Sequence, residues 1–305
     1  MILQAPSDVV MIRPHKFHPN PDTLSDNAFQ SNAIGSPLEI STQAQSEFNI
    51  AVSRLRNVGI TVHDFDDMQE DTPDSVFPNN WFSTHTGGHI AIYPMHAKTR
   101  RRERRWDIID MLKAQYRVQD IIDYSGLEQD GLALEGTGAM VLDHIGRVAY
   151  VARSNRADPI LLERFCTNFN YEPIVFDACD KLGNAIYHTN VLMTIGTGYA
   201  LIGLDLIANE ERRKTIYNRL TESGHEIVEL SEHQISEFCG NAFEMTGTDG
   251  TVLALSQRAL NALTPKQISI IEKTARLLPL KIPTIETAGG SVRCMIAGLH
   301  LAKRS

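Results

Sequence analysis

The sequence predicts an α/β fold built from five repeated units closed into a ring with pseudo-fivefold symmetry. Three observations predict it. Short β-type segments recur at a nearly constant interval, an amphipathic helical pattern precedes each one, and a glycine-marked hairpin follows. The β segments are Ile60–Phe65, Val118–Asp123, Glu172–Asp177, Glu226–Leu230 and Lys281–Glu286, and their first residues lie 58, 54, 54 and 55 positions apart.

Taken in order, the helical patterns cover about 43–57, 101–115, 158–169, 208–223 and 262–277. The third is the clearest, with Leu161, Leu162, Phe165 and Phe169 on one stripe. Gly224 closes the fourth helix, and Thr264-Pro265 puts proline in a first turn. Hairpins follow as Ala139–Leu142 with Arg147–Val151, Val191–Ile195 with Tyr199–Ile202, and Ala242–Met245 with Thr251–Leu255. Gly146, Gly198 and Gly250 mark their turns, 52 residues apart each time. The unit reads as helix, strand, hairpin. A unit this short cannot bury its own apolar face, so the five share one core.

Closure gives the interval a chemical meaning. The polar residue at the head of each second strand is Asn80, Glu135, His188, Asn241 and Cys294, separated by 55, 53, 53 and 53 positions. Equivalent positions in a ring converge on its axis, which brings a carboxylate, an imidazole and a thiol into one pocket. Cys294 is the candidate nucleophile in Gly289-Gly290-Ser291-Val292-Arg293-Cys294-Met295. Its thiolate is the reactive form, and the adjacent Arg293 is expected to favour that form. The two glycines allow backbone to pass close to a ligand. A lone cysteine in an apolar run otherwise reads as a small buried hydrophobe; its coincidence with Glu135 and His188 in one period argues for chemistry.

Composition narrows the partners. The chain has 305 residues, 42% of them hydrophobic, enough for a sizeable core in one unit spanning 1–305. A formal charge of −8 argues against nucleic acid or an anionic membrane as partner. The one basic run, Lys98 to Arg105, reads as a solvated helix face interrupted by Glu103. No run approaches the ~18 apolar residues of a membrane span, and the start lacks the pattern of a secretory signal, so a cytoplasmic location is expected. Cys166, Cys179, Cys239 and Cys294 form no C-x-x-C pair, which suits reduced thiols. His85-Thr86-Gly87-Gly88-His89 has ligand-like spacing, but its glycines disfavour a helix and the zinc-protease glutamate is missing, so no metal is expected. No cofactor is called for either.

Leu134-Glu135-Gly136, His188-Thr189-Asn190, Ser154-Asn155-Arg156 and the Cys294 motif together resemble the pentein superfamily of guanidine-group-modifying enzymes. Phe77–His85, Val10–Pro14 and Asn27–Gln30 are more narrowly similar to its amidinotransferase-like branch of citrulline-utilisation hydrolases. The resemblance implies a five-bladed α/β propeller and covalent catalysis. Cys294 would attack the planar carbon, His188 would shuttle protons, and Glu135 would orient His188 and hold substrate N–H groups. Arg156, with Arg153 as competitor, would bind a substrate α-carboxylate. Relatives that process arginine generally carry aspartate where this chain has Asn80, Asn190 and Gly138. An amide can both donate to a carbonyl and accept from an N–H, so the expected substrate is a neutral ureido amino acid, citrulline, split to ornithine, ammonia and carbon dioxide. Asp64, Asp66, Asp67, Asp71, Asp74 or Asp249 remain available to supply a carboxylate from a loop.

Residues 13–40, loop-rich with Pro14, Pro19, Pro21 and Pro37, read as a lid in which Asn27, Phe29 and Gln30 cap the pocket. Deleting that segment is expected to raise KM without unfolding the chain. Amidino transfer is the chemical alternative, followed by arginine deiminase or dimethylarginine hydrolase activity. A propeller acting only as a binding module is the non-enzymatic one, and a homo-oligomer is compatible with all of these.

Overall fold

A computed structural model describes residues 3–304, which form five three-stranded sheets arranged as the repeat requires. Strand β1 (Asp8–Arg13) runs parallel to β2 (Thr61–Asp66), with Asp8 opposite Thr61 and Arg13 opposite Asp66. The second sheet contains β3 (Phe82–His85), β4 (His89–Ile92) and β5 (Asp120–Asp123). The third contains β6 (Val141–Asp143), β7 (Val148–Ala152) and β8 (Glu172–Phe176). The fourth has β9 (Met193–Ile195), β10 (Tyr199–Ile202) and β11 (Glu226–Glu229), and the fifth β12 (Phe243–Gly247), β13 (Gly250–Ser256) and β14 (Arg276–Leu280).

In each of these four sheets the middle strand pairs antiparallel with the strand before it and parallel with the one after. A parallel neighbour needs a crossover, and the amphipathic helices supply it. They span Trp106–Gln115, Pro159–Phe169, Glu210–Glu222 and the pair Gln257–Ala262 and Pro265–Ile271. Helix Pro37–Asn57 does the same between β1 and β2. The first sheet is completed from the far end of the chain: β15 (Ala297–Gly298) lies antiparallel to β1, Val9 opposite Gly298 and Val10 opposite Ala297. Middle strands such as β7 and β10 are buried along their whole length, as strands covered on both faces are. Among the described residues no helix is long and apolar enough to cross a membrane.

Four expectations need correction. The strand after each helix joins the hairpin before that helix, not the one after it, so the structural unit is hairpin, helix, strand. In the last unit the strand is Arg276–Leu280 and not Lys281–Glu286, because Pro283 opens a one-turn helix, Pro283–Glu286. Pro279 is tolerated in β14 because that strand is an edge. The helix expected over 262–277 is shorter, Pro265–Ile271, since one helix ends at Ala262, Thr264 caps a new one with Pro265 in its first turn, and Arg276 already begins β14. The helix expected from 101 begins at Trp106, after a 3₁₀ turn over Thr99–Glu103.

The predicted strand heads sit in the tight turns just ahead of the strands. Asn80 ends the turn Pro78–Asn80, while Glu135 and His188 precede the one-turn helices Gly136–Ala139 and Thr189–Leu192. Across them runs the N-terminal segment, in which Phe17, Asn20, Thr23 and Asn27 are buried.

Candidate active site

The turns bring Glu135, His188 and Cys294 together. Glu135 is 0% exposed; its Oε2 lies 2.8 Å from Nε2 of His188, and its Oε1 accepts from the His96 backbone N–H at 3.0 Å. Arg156 and Arg100 stand 3.5 and 3.6 Å from the same carboxylate. Burial alone would raise the Glu135 pKa, but Arg156, His188 and Arg100 overcome it and hold the group well below the usual carboxylate range. Burial pulls His188 down to about 4, against the opposing pull of Glu135. At neutral pH the pair is therefore an anionic carboxylate accepting from a neutral imidazole. Nε2 carries the proton and Nδ1 is left as a base.

Cys294 is 1% exposed, and its sulfur accepts amide N–H groups from Asn241 at 3.3 Å and Asn190 at 3.4 Å. Burial pushes the thiol up from its ordinary value, and the two amides and the Ser291 backbone pull it back only in part. Arg293, expected to be the activating cation, contributes least of the named groups. Its guanidinium sits over the Phe243 ring, 4.2 Å from the centroid, because adjacent side chains leave the turn in different directions. The resting sulfur is thus a thiol.

Asn241 is a residue the sequence placed in the ring without assigning it a task. Its Oδ1 accepts from the backbone of Ser291 and Arg293 at 3.2 and 3.1 Å, and its Nδ2 also donates to the Asn190 carbonyl at 2.9 Å. One amide therefore holds both the cysteine turn and the sulfur.

Arg100 was missed for a clear reason. It lies in the run read as a solvated helix face, yet it is 2% exposed and forks Glu103 with two bonds of 2.9 Å. Asn80, oriented to suit its neighbours, accepts from both Arg100 terminal nitrogens at 2.7 and 3.0 Å and donates to Asn79 at 3.1 Å. The usable signal was Glu103 itself, three residues on, where an opposite charge can close a pair. Asp74 also faces this cavity: one oxygen accepts from Asn20 at 2.9 Å and the other has no partner among the described residues.

Asp74, Asn80, Arg100, Arg156, His188 and Cys294 line one narrow cavity of about 10 Å³, with Asn27, Tyr187 and Gly290 also in its wall. Glu135 and Asn190 lie behind that wall, against His188 and Cys294 respectively. Arg156 is 2% exposed and forks the Asp26 carboxylate at 2.6 and 3.0 Å, a partner from the N-terminal segment that the sequence did not single out. Arg153 lies elsewhere, on the surface, paired with Asp177 at 3.1 Å. Asn27 reaches the cysteine motif and donates to the Ala288 carbonyl at 3.3 Å. It packs so closely on Gly289, at φ +80°, that a Cβ there would come within 2.4 Å of its amide. The close approach foreseen for the glycines is thus made by the chain's own Asn27. Phe29 packs between Tyr187 and Phe238, at 5.9 and 5.7 Å between ring centroids, outside the cavity. Gln30 bonds Thr23 at 2.7 Å and ties the segment to itself. Gly138 is not a vacancy waiting for a carboxylate, since a Cβ there would meet the Asn80 side-chain amide at 2.1 Å and the His188 ring at 2.9 Å.

The family profile described as N,N dimethylarginine dimethylhydrolase, eukaryotic, matches residues 13–301. Among solved structures, the N-terminal domain of ArgZ, an arginine dihydrolase from cyanobacteria, is similar at a TM-score of 0.71 and 16% identity, covering 96% of this chain and 99% of that one. DDAH from Pseudomonas aeruginosa, complexed with citrulline, is similar at 0.63 and 13% identity, with 96% and 99% covered. Comparison with curated proteins gives no significant match.

Proposed function

The chain belongs to the N,N dimethylarginine dimethylhydrolase family, within the pentein superfamily, and from that premise we propose a cysteine hydrolase that cleaves a C–N bond at the ureido carbon of citrulline. The observation that carries the chemistry is the 2.8 Å contact between Glu135 and a neutral, buried His188 in a site that also holds the Cys294 sulfur.

In this reading Cys294 gives its proton to Nδ1 of His188 as the sulfur attacks the planar carbon. The S–C bond forms, a C–N bond breaks, and the departing nitrogen takes the proton from the imidazolium. Water then adds to the same carbon and passes a proton back through His188. The S–C bond breaks, and loss of the second nitrogen leaves carbon dioxide. Glu135 touches neither substrate nor sulfur; it holds the imidazole and stabilises its charged form. Arg156 binds the α-carboxylate. Its fork already holds a carboxylate, that of Asp26, in the required bidentate geometry. Residues 13–40 act as the lid, giving up the Asp26 contact as substrate arrives, and the whole ring is one catalytic unit. Asn80 brings an amide to the cavity where a cationic guanidinium would want a carboxylate, and Asn190 gives its amide to the Cys294 sulfur.

A second reading, a guanidino substrate such as dimethylarginine or arginine, is favoured by Asp74, a residue of the cavity wall with one unpartnered oxygen among the described residues, and by the family. A panel of citrulline, arginine, methylated arginines and agmatine, with ornithine, citrulline and ammonia quantified, separates the two. Preferential release of ornithine and ammonia from citrulline is expected, with Cys294→Ala inactive but folded. Strong preference for arginine or its methylated forms would replace the first reading by the second. Full activity of Cys294→Ala would remove both.

A further inference from the structure

A second pocket shares no residue with the catalytic cavity, yet it is reached from the same turn because Arg293 adjoins Cys294. Gln4, Thr137, His144, Thr194, Phe243 and Arg293 wall it. The polar groups other than Arg293 and His144 are already committed. Thr137 donates to the Asn79 carbonyl, Thr194 to those of Gly240 and Ala242, and Gln4 to those of Leu142 and Ile195. His144 pairs through Nδ1 with Tyr171, and its ring stacks on His300 at 3.8 Å between centroids.

Arg293 is different. It donates to the Ile296 carbonyl at 2.8 Å and lies over Phe243, but among the described residues it has no acidic partner. Burial pushes its guanidinium down to about 10. The largest charge effects on His144 come from His300, His85, Arg147 and Arg293, none of them a carboxylate. The nearby acids turn away with the alternation of their strands: Asp143 accepts from the Gly146 N–H, and Glu244 accepts from Thr197. A part-buried guanidinium with unused donors, beside an imidazole and facing no negative charge, is an electrostatic deficit that an anion would make good.

We propose that this pocket binds a small oxyanion, gripped by the Arg293 guanidinium with His144 beside it. The site is linked to the thiol through the chain itself: the Arg293 backbone N–H donates to Asn241 Oδ1 at 3.1 Å, and Asn241 Nδ2 donates to Cys294 Sγ at 3.3 Å. The proposal does not depend on which substrate the catalytic cavity takes.

Calorimetric titration of bicarbonate, nitrate and inorganic phosphate, each at constant ionic strength, tests it and distinguishes the anions. At least one should bind the wild-type protein saturably at one site. Losing the charge-assisted contacts should weaken that binding about tenfold or more in Arg293→Gln, while Arg156→Gln stays within about twofold because its guanidinium belongs to the other cavity. Absence of saturable binding, or equal affinity in Arg293→Gln, overturns the proposal. So does binding lost in Arg156→Gln and kept in Arg293→Gln, which would put the anion in the catalytic cavity. If Arg293→Gln does not fold, His144→Gln serves: weaker binding by about threefold is expected, and unchanged binding overturns the assignment.

Discussion

His188 is an imidazole kept from water, 1% exposed and drawn down to about 4 by burial, so it is neutral at pH 7 beside an ionised Glu135. In the unfolded chain the same group titrates near 6.5. Between those values the unfolded state binds a proton that the folded state refuses, so stability falls as pH drops from about 6.5 to about 4. The contribution of this one group is on the order of 3 kcal/mol over the interval. Urea unfolding at pH 7 and pH 4.5 should therefore show a larger loss for the wild type than for His188→Gln. His300, also drawn down to about 4, is present in both proteins and cancels in the comparison. Equal losses would mean that the imidazole is not held neutral. The trio of Glu135, His188 and Cys294 was legible as a candidate site because its members share one spacing. What tunes them was not, since the Cys294 thiol answers to burial and to the amides of Asn241 and Asn190 before it answers to its sequence neighbour Arg293.

The N-terminal segment shows what an element can hide. Its prolines and its lack of periodicity marked it as a loop over the pocket, and Asn27 does reach the cysteine motif. Deletion is nevertheless the wrong test for a lid, because buried Phe17, Asn20, Thr23 and Asn27 make it part of the wall. Asp26→Ala is the sharper experiment. If the Asp26 carboxylate occupies the place of the substrate carboxylate on Arg156, removing it raises the fraction of protein ready to bind, and KM should fall by roughly three- to tenfold with kcat nearly unchanged. A raised KM would instead put Asp26 on the substrate. The same limit explains the misassigned phase of the repeat. Periodicity located each helix and strand, but which hairpin a strand joins is set by pairing across the sheet, as in β7 with β8, where Tyr150 lies opposite Ile174.

At the scale of the molecule the ring depends on β15. Its pairing with β1 is continued by the Leu299 N–H to the Asp8 carbonyl at 2.9 Å, the Lys303–Asp8 ion pair at 2.7 Å, and Leu299 and Leu301 in the apolar cluster around Ile12, Trp81 and Leu112. Burial of the two leucines alone is worth roughly 3–6 kcal/mol, a large share of a typical total of about 5–15 kcal/mol. A chain ending at Ile296 should accordingly unfold at a clearly lower urea concentration than the full chain. An unchanged midpoint would show that the ring does not depend on this strand. The sequence by itself determined that five units repeat and that Glu135, His188 and Cys294 occupy equivalent places in them, because helix and strand periods and a constant spacing are local properties of the chain. Only the tertiary structure decided that Arg100 is inside, that Arg156 already holds a carboxylate, that Arg293 faces a pocket of its own and that the resting sulfur is a thiol. Burial and charge pairing depend on which distant segments meet, and no single stretch of sequence contains both partners.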